Sequence, residues 1–248
     1  MGMKDDFIFG LRPVIEALKE GRTVERILVK QGLQGQLYFE LMRETRERNI
    51  PVQIVPVEKI EAFTRKNHQG VLALISPVEY QDIGIILPGI FESGEDPLIL
   101  CLDGVSDVRN FGAIIRSASC FGAHAVIIPE RGSARITADA IKTSAGALNT
   151  FPVCRVKSIT KSIIYLKESG LKVICADEKH GAAASLTGLT GPLVLIMGSE
   201  NRGISRELLA MADASVKIPI TGSIGSLNVS VAAGILLYEI SRQRSLEA

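Results

Sequence analysis

The chain has 248 residues, 46% of them apolar, with 28 basic and 27 acidic side chains. A net charge of +1 excludes the global basic field of a histone-like binder, although it allows local patches. Cys101, Cys120, Cys154 and Cys175 make no C-x-x-C pair, so they read as small hydrophobes in a reducing compartment. The charged start (Lys4, Asp5, Asp6) has no signal-peptide core, and no apolar run reaches about 18 residues, so the expected setting is the cytosol.

Charge divides the chain into three parts. Residues 1–76 carry 12 basic and 10 acidic groups, 77–96 none and 5, and 97–248 carry 16 and 12. In the first part, Leu11, Ile15 and Leu18 have helical spacing that Gly21 ends. A strand is expected at Arg26–Lys30, a helix from Leu37 to Arg48, a strand at Val52–Val55, a helix from Val57 to Lys66 and a strand at Val71–Ile75. This predicts a small α/β domain over 1–76. Residues 77–96, acidic and punctuated by Pro77, Gly84, Pro88, Gly89 and Gly94, read as a linker. The third part, 97–248, has strand-like apolar runs at Leu98–Leu102, Ala125–Ile128, Val153–Val156, Lys172–Ala176, Leu193–Met197 and Val216–Ile218. Helical patterns lie between most of them. Such runs predict a parallel sheet covered on both faces, with the ligand crevice at the strands' carboxyl ends.

Three loops meet at that edge. Asp103–Asn110 precedes a helix expected to start at Phe111 or Gly112, with Asn110 as its cap and Arg116 one to two turns in. Gly112 and Ala113 would let a phosphate or ribose approach the backbone. Gly198–Gly203 resembles a phosphate loop but has Ile204 where the lysine belongs and Glu200 within it, which excludes a nucleoside triphosphate. The third loop, Pro219–Asn228, runs through Ser226 and Leu227 into a long apolar helix over Asn228–Arg242. Asn228 and Ser230 are costly helix-interior residues unless their side chains have partners. Asn228-Val229-Ser230 also fits a glycosylation sequon, which a reducing compartment leaves without a role. His68, His124 and His180 are scattered, so no metal site is expected. His68, in the polar turn Lys66–Gly70, is placed to touch RNA.

The three blocks Asn110-x-Gly112…Arg116, Gly198–Gly203 and Ile218-Pro219…Ser226–Ser230 resemble the three motifs of the SpoU-type RNA ribose 2′-O-methyltransferases of the SPOUT superfamily. FIFGLRPVIEAL and NHQGVLAL resemble the small α/β substrate-binding domain attached to the family's 23S ribosomal RNA guanosine methyltransferases. The resemblance implies a C-terminal parallel-sheet domain threaded into a trefoil knot, and a homodimer with its active sites at the knot interface. Val231, Ile235, Leu236 and Ile240 would supply part of that interface. It also implies S-adenosylmethionine bound at Gly198, Ile218 and Leu227, mainly through backbone, with Met197, Ile220 and Ser226 nearby and Lys142–Ala147 close by.

The resemblance further implies a catalytic set of Arg116, Asn110, Glu200 and Asn228. The residue matching Arg116 is cast in the family as the base. An arginine stays protonated, so its expected task here is to bind the target phosphate or polarise the 2′-oxygen. Asn110, Glu200 and Asn228 would orient the ribose, with Glu200 a second candidate proton acceptor. RNA would contact Arg109, Arg131, Arg135 and Lys142 of the third part, and Arg12, Arg65, Lys66 and His68 of the first. Two rival classes are a transfer RNA methyltransferase of the same fold and a non-catalytic RNA-binding ribosome-assembly factor.

Overall fold

A computed structural model describes residues 7–179 and 181–247. His180 lies outside them. Two compact units divide between Glu79 and Tyr80.

The first unit contains β1 (Phe7–Phe9), α1 (Leu11–Lys19), β2 (Val24–Lys30), α2 (Gln36–Glu47), β3 (Val52–Val55), α3 (Val57–Glu61) and β4 (Val71–Ile75). The sheet order is β1-β4-β2-β3, mixed, with β2 parallel to β3 and antiparallel to β4. Alternation sorts β2 between two cores. Ile27 and Val29 join Val14, Ile15, Leu18 and Leu41 of α1 and α2, whereas Leu28 joins Val55 and Ile60 on the other face. The short β1 is too brief to show a period, which is why the sequence did not announce it. The helix expected over Val57–Lys66 stops at Glu61, and the next turn tightens through Phe63 and Thr64 N–H groups onto the Ile60 carbonyl.

The second unit runs α4 (Ile83–Glu92), β5 (Leu98–Asp103), α5 (Val108–Cys120), β6 (Ala125–Pro129), α6 (Ala138–Thr143), β7 (Val153–Val156), α7 (Ile159–Glu168), β8 (Lys172–Ala176), β9 (Ala182–Ala183), β10 (Leu193–Gly198), α8 (Arg206–Met211), β11 (Ala214–Lys217) and α9 (Val229–Glu247). Among the described residues its sheet has the order β7-β6-β5-β10-β8-β11-β9, and every pair is parallel. The insertion of β10 between β5 and β8 is compatible with the knotted threading that the motifs imply. Val216–Ile218 was expected as the last long strand. The strand is Ala214–Lys217 instead, because Asp213 Oδ2 accepts from Val173 N (2.8 Å) and starts the pairing earlier.

The stretch 77–96 is not a simple linker. Asp82 caps α4 by accepting from Gly84 N (2.9 Å), and Ile83, Leu87 and Ile90 sit in the core with Ile99, Ile127, Ile163 and Leu208. Pro88 removes one helical hydrogen bond. Burial of the three apolar side chains, about 1.5–3 kcal/mol each, outweighs that loss. Cys101, Cys154 and Cys175 line the same core, as expected, whereas Cys120, expected buried with them, is exposed at the end of α5; burial raises the three core thiols, Cys154 and Cys175 to about 12.

Helices α5 and α9 lie side by side and run parallel. A Cβ on Gly234 would sit 3.5 Å from Ser117 Oγ, and one turn on, the Phe121 and Tyr238 rings meet edge to face at 5.9 Å. The far end of α9 is tied to the strands' amino ends. Arg244 donates to the carbonyls of Asp96 (2.9 Å), Pro97 (3.2 Å) and Gly191 (2.6 Å), while Gln243 accepts from Leu189 N (2.9 Å). We expect Arg244→Ala to lower the unfolding free energy by about 2–4 kcal/mol, since three charge-assisted bonds are lost and, of the three carbonyls, Pro97 O keeps the Leu193 N–H as a donor. Urea unfolding midpoints measure this, and a change below about 0.5 kcal/mol would refute the anchor.

Candidate active site

At the opposite, carboxyl end of the sheet, three loops close on one another. Asp103, at the end of β5, accepts through Oδ2 from Ser205 N (2.8 Å) and so ties the first loop to the second. The α5 helix begins at Val108, earlier than expected. Its cap is Asp107, whose Oδ1 accepts from Asn110 N (2.7 Å). Asn110 is therefore a first-turn residue whose side chain does not cap the helix. Past β10, Ser199 and Gly203 pair back to back (3.2 and 2.8 Å) and project Glu200 outward. Gly198 is forced. A Cβ there would lie 2.1 Å from Gly203 C and 2.3 Å from Ile204 N.

The third loop delivers Asn228 at the start of α9. Its Oδ1 accepts from Ser230 Oγ (2.6 Å) and Ser230 N (2.9 Å), which turns the amide nitrogen inward. That nitrogen donates to Asn110 Oδ1 (3.0 Å) and to Glu200 Oε1 (2.8 Å). Asn110 Nδ2 completes a triangle by donating to Glu200 Oε1 (3.1 Å), and Val229 N adds a longer bond to the same oxygen (3.4 Å). One carboxylate oxygen thus organises two loops and two helix starts. Glu200 Oε2 has no donor among the described residues and can accept from a ligand.

Arg116 does not join this triangle. It lies six residues beyond Asn110 on α5, about 9 Å along the axis and turned to another face. There it is exposed, without a hydrogen bond or ion pair among the described residues. It precedes Ser117, the contact for Gly234. Gly112 also has a different task from the one expected. A Cβ there would strike Ala140 O (2.7 Å) and Thr143 Cβ (2.8 Å), so it admits α6, and with it Lys142–Ala147, against α5.

Met197 is buried and Gly198 and Ile218 half-buried, whereas Ile220, Ser226 and Leu227 are exposed on a loop that carries no charged side chain from Ile218 to Asn228. Arg109, Arg131 and Lys142 are exposed and Arg135 half-buried, all on loops or helices that follow β5 and β6. In the first unit, Arg65 and His68 line one open cleft with Glu61 and Ala62, and Lys66 is exposed beside them. Arg12 is exposed next to Leu11, whose N–H donates to Gln69 Oε1 (3.1 Å). His68 Nδ1 accepts from Gly70 N (3.0 Å), leaving its other nitrogen for a partner.

Sequence reasoning missed Asp103 and Asp107 as organisers. Asp107 carried a readable signal, an aspartate just before a helical run.

The family model for the SpoU rRNA Methylase family matches residues 97–238, and that for RNA 2′-O ribose methyltransferase substrate binding matches 7–81. The chain belongs to the SpoU rRNA methylase family. It is 36% identical over 242 residues to a Staphylococcus haemolyticus protein assigned to the TrmH family of tRNA/rRNA methyltransferases, covering 98% of this chain and 97% of that one. The S-adenosylmethionine-bound rRNA methyltransferase from Sinorhizobium meliloti has a similar structure (TM-score 0.61, 26% identity, covering 95% of this chain and 86% of that one). So has the TrmH/SpoU tRNA modifying enzyme of A. aeolicus (TM-score 0.57, 29% identity), but over 62% of this chain and 78% of that one.

Proposed function

We propose that this chain transfers a methyl group from S-adenosylmethionine to the ribose 2′-hydroxyl of a guanosine in 23S ribosomal RNA. The observation that carries the reading is the Asn110–Glu200–Asn228 triangle, built from three separate crossover loops. The loop from Ile218 to Asn228 suits the cofactor. It has no cation for a phosphate, and its exposed Ile220 and Leu227 can cover an adenine.

When bound, S-adenosylmethionine supplies an electrophilic methyl on a sulfonium. The protein's own part is alignment and proton management, and alignment alone is worth up to about 7–11 kcal/mol. Asn110 and Asn228 fix Glu200, whose Oε2 takes the 2′-hydroxyl proton. Arg116 polarises the 2′-oxygen or holds the target phosphate. Its distance along α5 from the triangle, and its exposed place one residue before the Ser117 contact with Gly234 of α9, favour action in the site of a second copy. The exposed Val231, Ile235 and Tyr238 of α9, at i, i+4 and i+7, form the apolar stripe of a homodimer interface, whereas Leu236 and Ile240, also expected there, are buried within the chain. RNA approaches over Arg109, Arg131, Arg135 and Lys142, with Arg12, Arg65, Lys66 and His68 of the first unit as the second contact. The protein works in the cytosol, where its buried thiols stay reduced.

The reach of the match favours ribosomal over transfer RNA. The S. meliloti rRNA enzyme aligns over 95% of this chain, and the A. aeolicus tRNA enzyme over 62%. The test is methyl transfer from labelled S-adenosylmethionine to unmodified 23S RNA and transfer RNA transcripts. Label in an alkali-resistant dinucleotide of the 23S transcript is expected. Label in transfer RNA alone would move the reading to the second substrate, and a protein that binds no S-adenosylmethionine in calorimetry would be the assembly factor. Glu200→Gln, which keeps the shape but loses the charge, is expected to lower kcat by about 10²–10³ with little change in RNA affinity. Unchanged turnover would remove Glu200 from the mechanism.

A further inference from the structure

A second cleft lies away from the triangle, at the outer strand of the sheet. The backbone of Tyr80 and Gln81 pairs with β7, Gln81 N donating to Val153 O (2.9 Å), and so covers the sheet edge. At the carboxyl end of β7, which holds Arg155, the chain turns through Lys157 and Ser158 into α7. Tyr80, Gln81 and Asp82 face Arg155, Lys157, Ser158 and Lys161 across an open cleft of about 570 Å³. The two strands β6 and β7 separate it from β5, whose following loop leads into α5 and Asn110.

Arg155, Lys157 and Lys161 line the cleft together with Asp82, whose Oδ1 accepts from Gly84 N (2.9 Å). Lys157, just before the Ser158 cap, and Lys161, in the first turn of α7, are both exposed. The Arg155 guanidinium lies 4.9 Å over the Tyr80 ring, making a flat, charged platform at one wall. Ser158 caps α7 by accepting from Lys161 N (3.3 Å). A cationic wall beside an arginine–aromatic stack is the chemistry that grips single-stranded nucleic acid, with phosphate on the cations and a base on the platform. The cleft is open and larger than a single phosphate needs, which suits one residue of a continuing strand.

We propose that this cleft is an accessory RNA site. It takes one unpaired nucleotide of the substrate at a distance from the target ribose, phosphate against Lys157 and Lys161, base against the Tyr80–Arg155 stack. It extends the reading of the chain as an RNA-modifying enzyme and rests on it.

The experiment is binding of in vitro transcribed 23S RNA by the full-length protein as wild type, as K157E/K161E and as Y80A, over a range of salt, with S-adenosylmethionine affinity measured in parallel by calorimetry. K157E/K161E is expected to weaken RNA binding roughly tenfold and to reduce the slope of log affinity against log salt by about 1.5. Y80A is expected to weaken binding roughly threefold or more with the salt slope unchanged. Both should bind S-adenosylmethionine as the wild type does, which also reports that they fold. Should K157E/K161E give the wild-type affinity and slope, or should Y80A bind the RNA as the wild type does, the assignment falls. A wild type that binds no S-adenosylmethionine, yet loses RNA affinity on charge reversal, would leave the cleft standing and sink the methyl-transfer reading.

Discussion

Changing Arg116 to lysine is expected to cut kcat by roughly 10²–10³ at every pH from about 6 to 9, with S-adenosylmethionine affinity and stability unchanged. The stability half follows from exposure. Arg116 has no partner among the described residues whose loss the fold would feel. The activity half follows from chemistry. A guanidinium stays protonated throughout that range and presents a planar fork of five donors, whereas an ammonium offers a point charge. If the arginine were the base, lysine, which titrates near 10, would give near-normal turnover at high pH and a displaced pH profile. That outcome would overturn the electrostatic role. Mixing subunits then tests which copy the residue serves. When Arg116→Lys and Glu200→Ala chains are combined, a site built from both copies regains one intact centre per mixed dimer, about a quarter of wild-type activity in a random mixture. A site built within one chain regains none.

The need for this test comes from helix phase, and phase is where the sequence stops being legible. The strands Val52–Val55, Val71–Ile75, Val153–Val156 and Lys172–Ala176 stand where their apolar runs placed them, because a buried strand writes its limits directly in hydrophobicity. The convergence of three loops at the carboxyl edge followed from the parallel sheet. What did not follow were contacts set by small differences in position. Moving the start of α5 from Phe111 back to Val108 turned Asn110 from a cap into a member of the triangle and set Arg116 on another face. Gly112 looked like room for a phosphate and is room for α6. In α4, proline and glycine hid a helix that the burial of Ile83, Leu87 and Ile90 and the Asp82 cap hold in place. Local composition cannot report how much apolar area a neighbour will cover.

Gly198→Ala is expected to be the most damaging single methyl group that can be added near the site. It should cost about 3 kcal/mol or more and abolish methyl transfer even under conditions where the protein stays folded. The added carbon would occupy space held by Gly203 C, Ile204 N and Gly203 O at 2.1, 2.3 and 2.5 Å, all backbone, so no rotamer change can relieve it. The turn would have to open. The Ser199–Gly203 pairing is what projects Glu200, and Glu200 Oε1 is the common acceptor for Asn110, Asn228 and Val229. Opening the turn therefore dismantles the triangle as well as straining the chain. Gly203→Ala is the control. Its Cβ meets open space, and only its positive φ of 67° is unfavourable, a cost of about 1–2 kcal/mol. Urea unfolding and labelled-methyl transfer on both variants separate the two effects. If Gly198→Ala were no worse than Gly203→Ala in both assays, close packing of that turn could not be what positions the carboxylate.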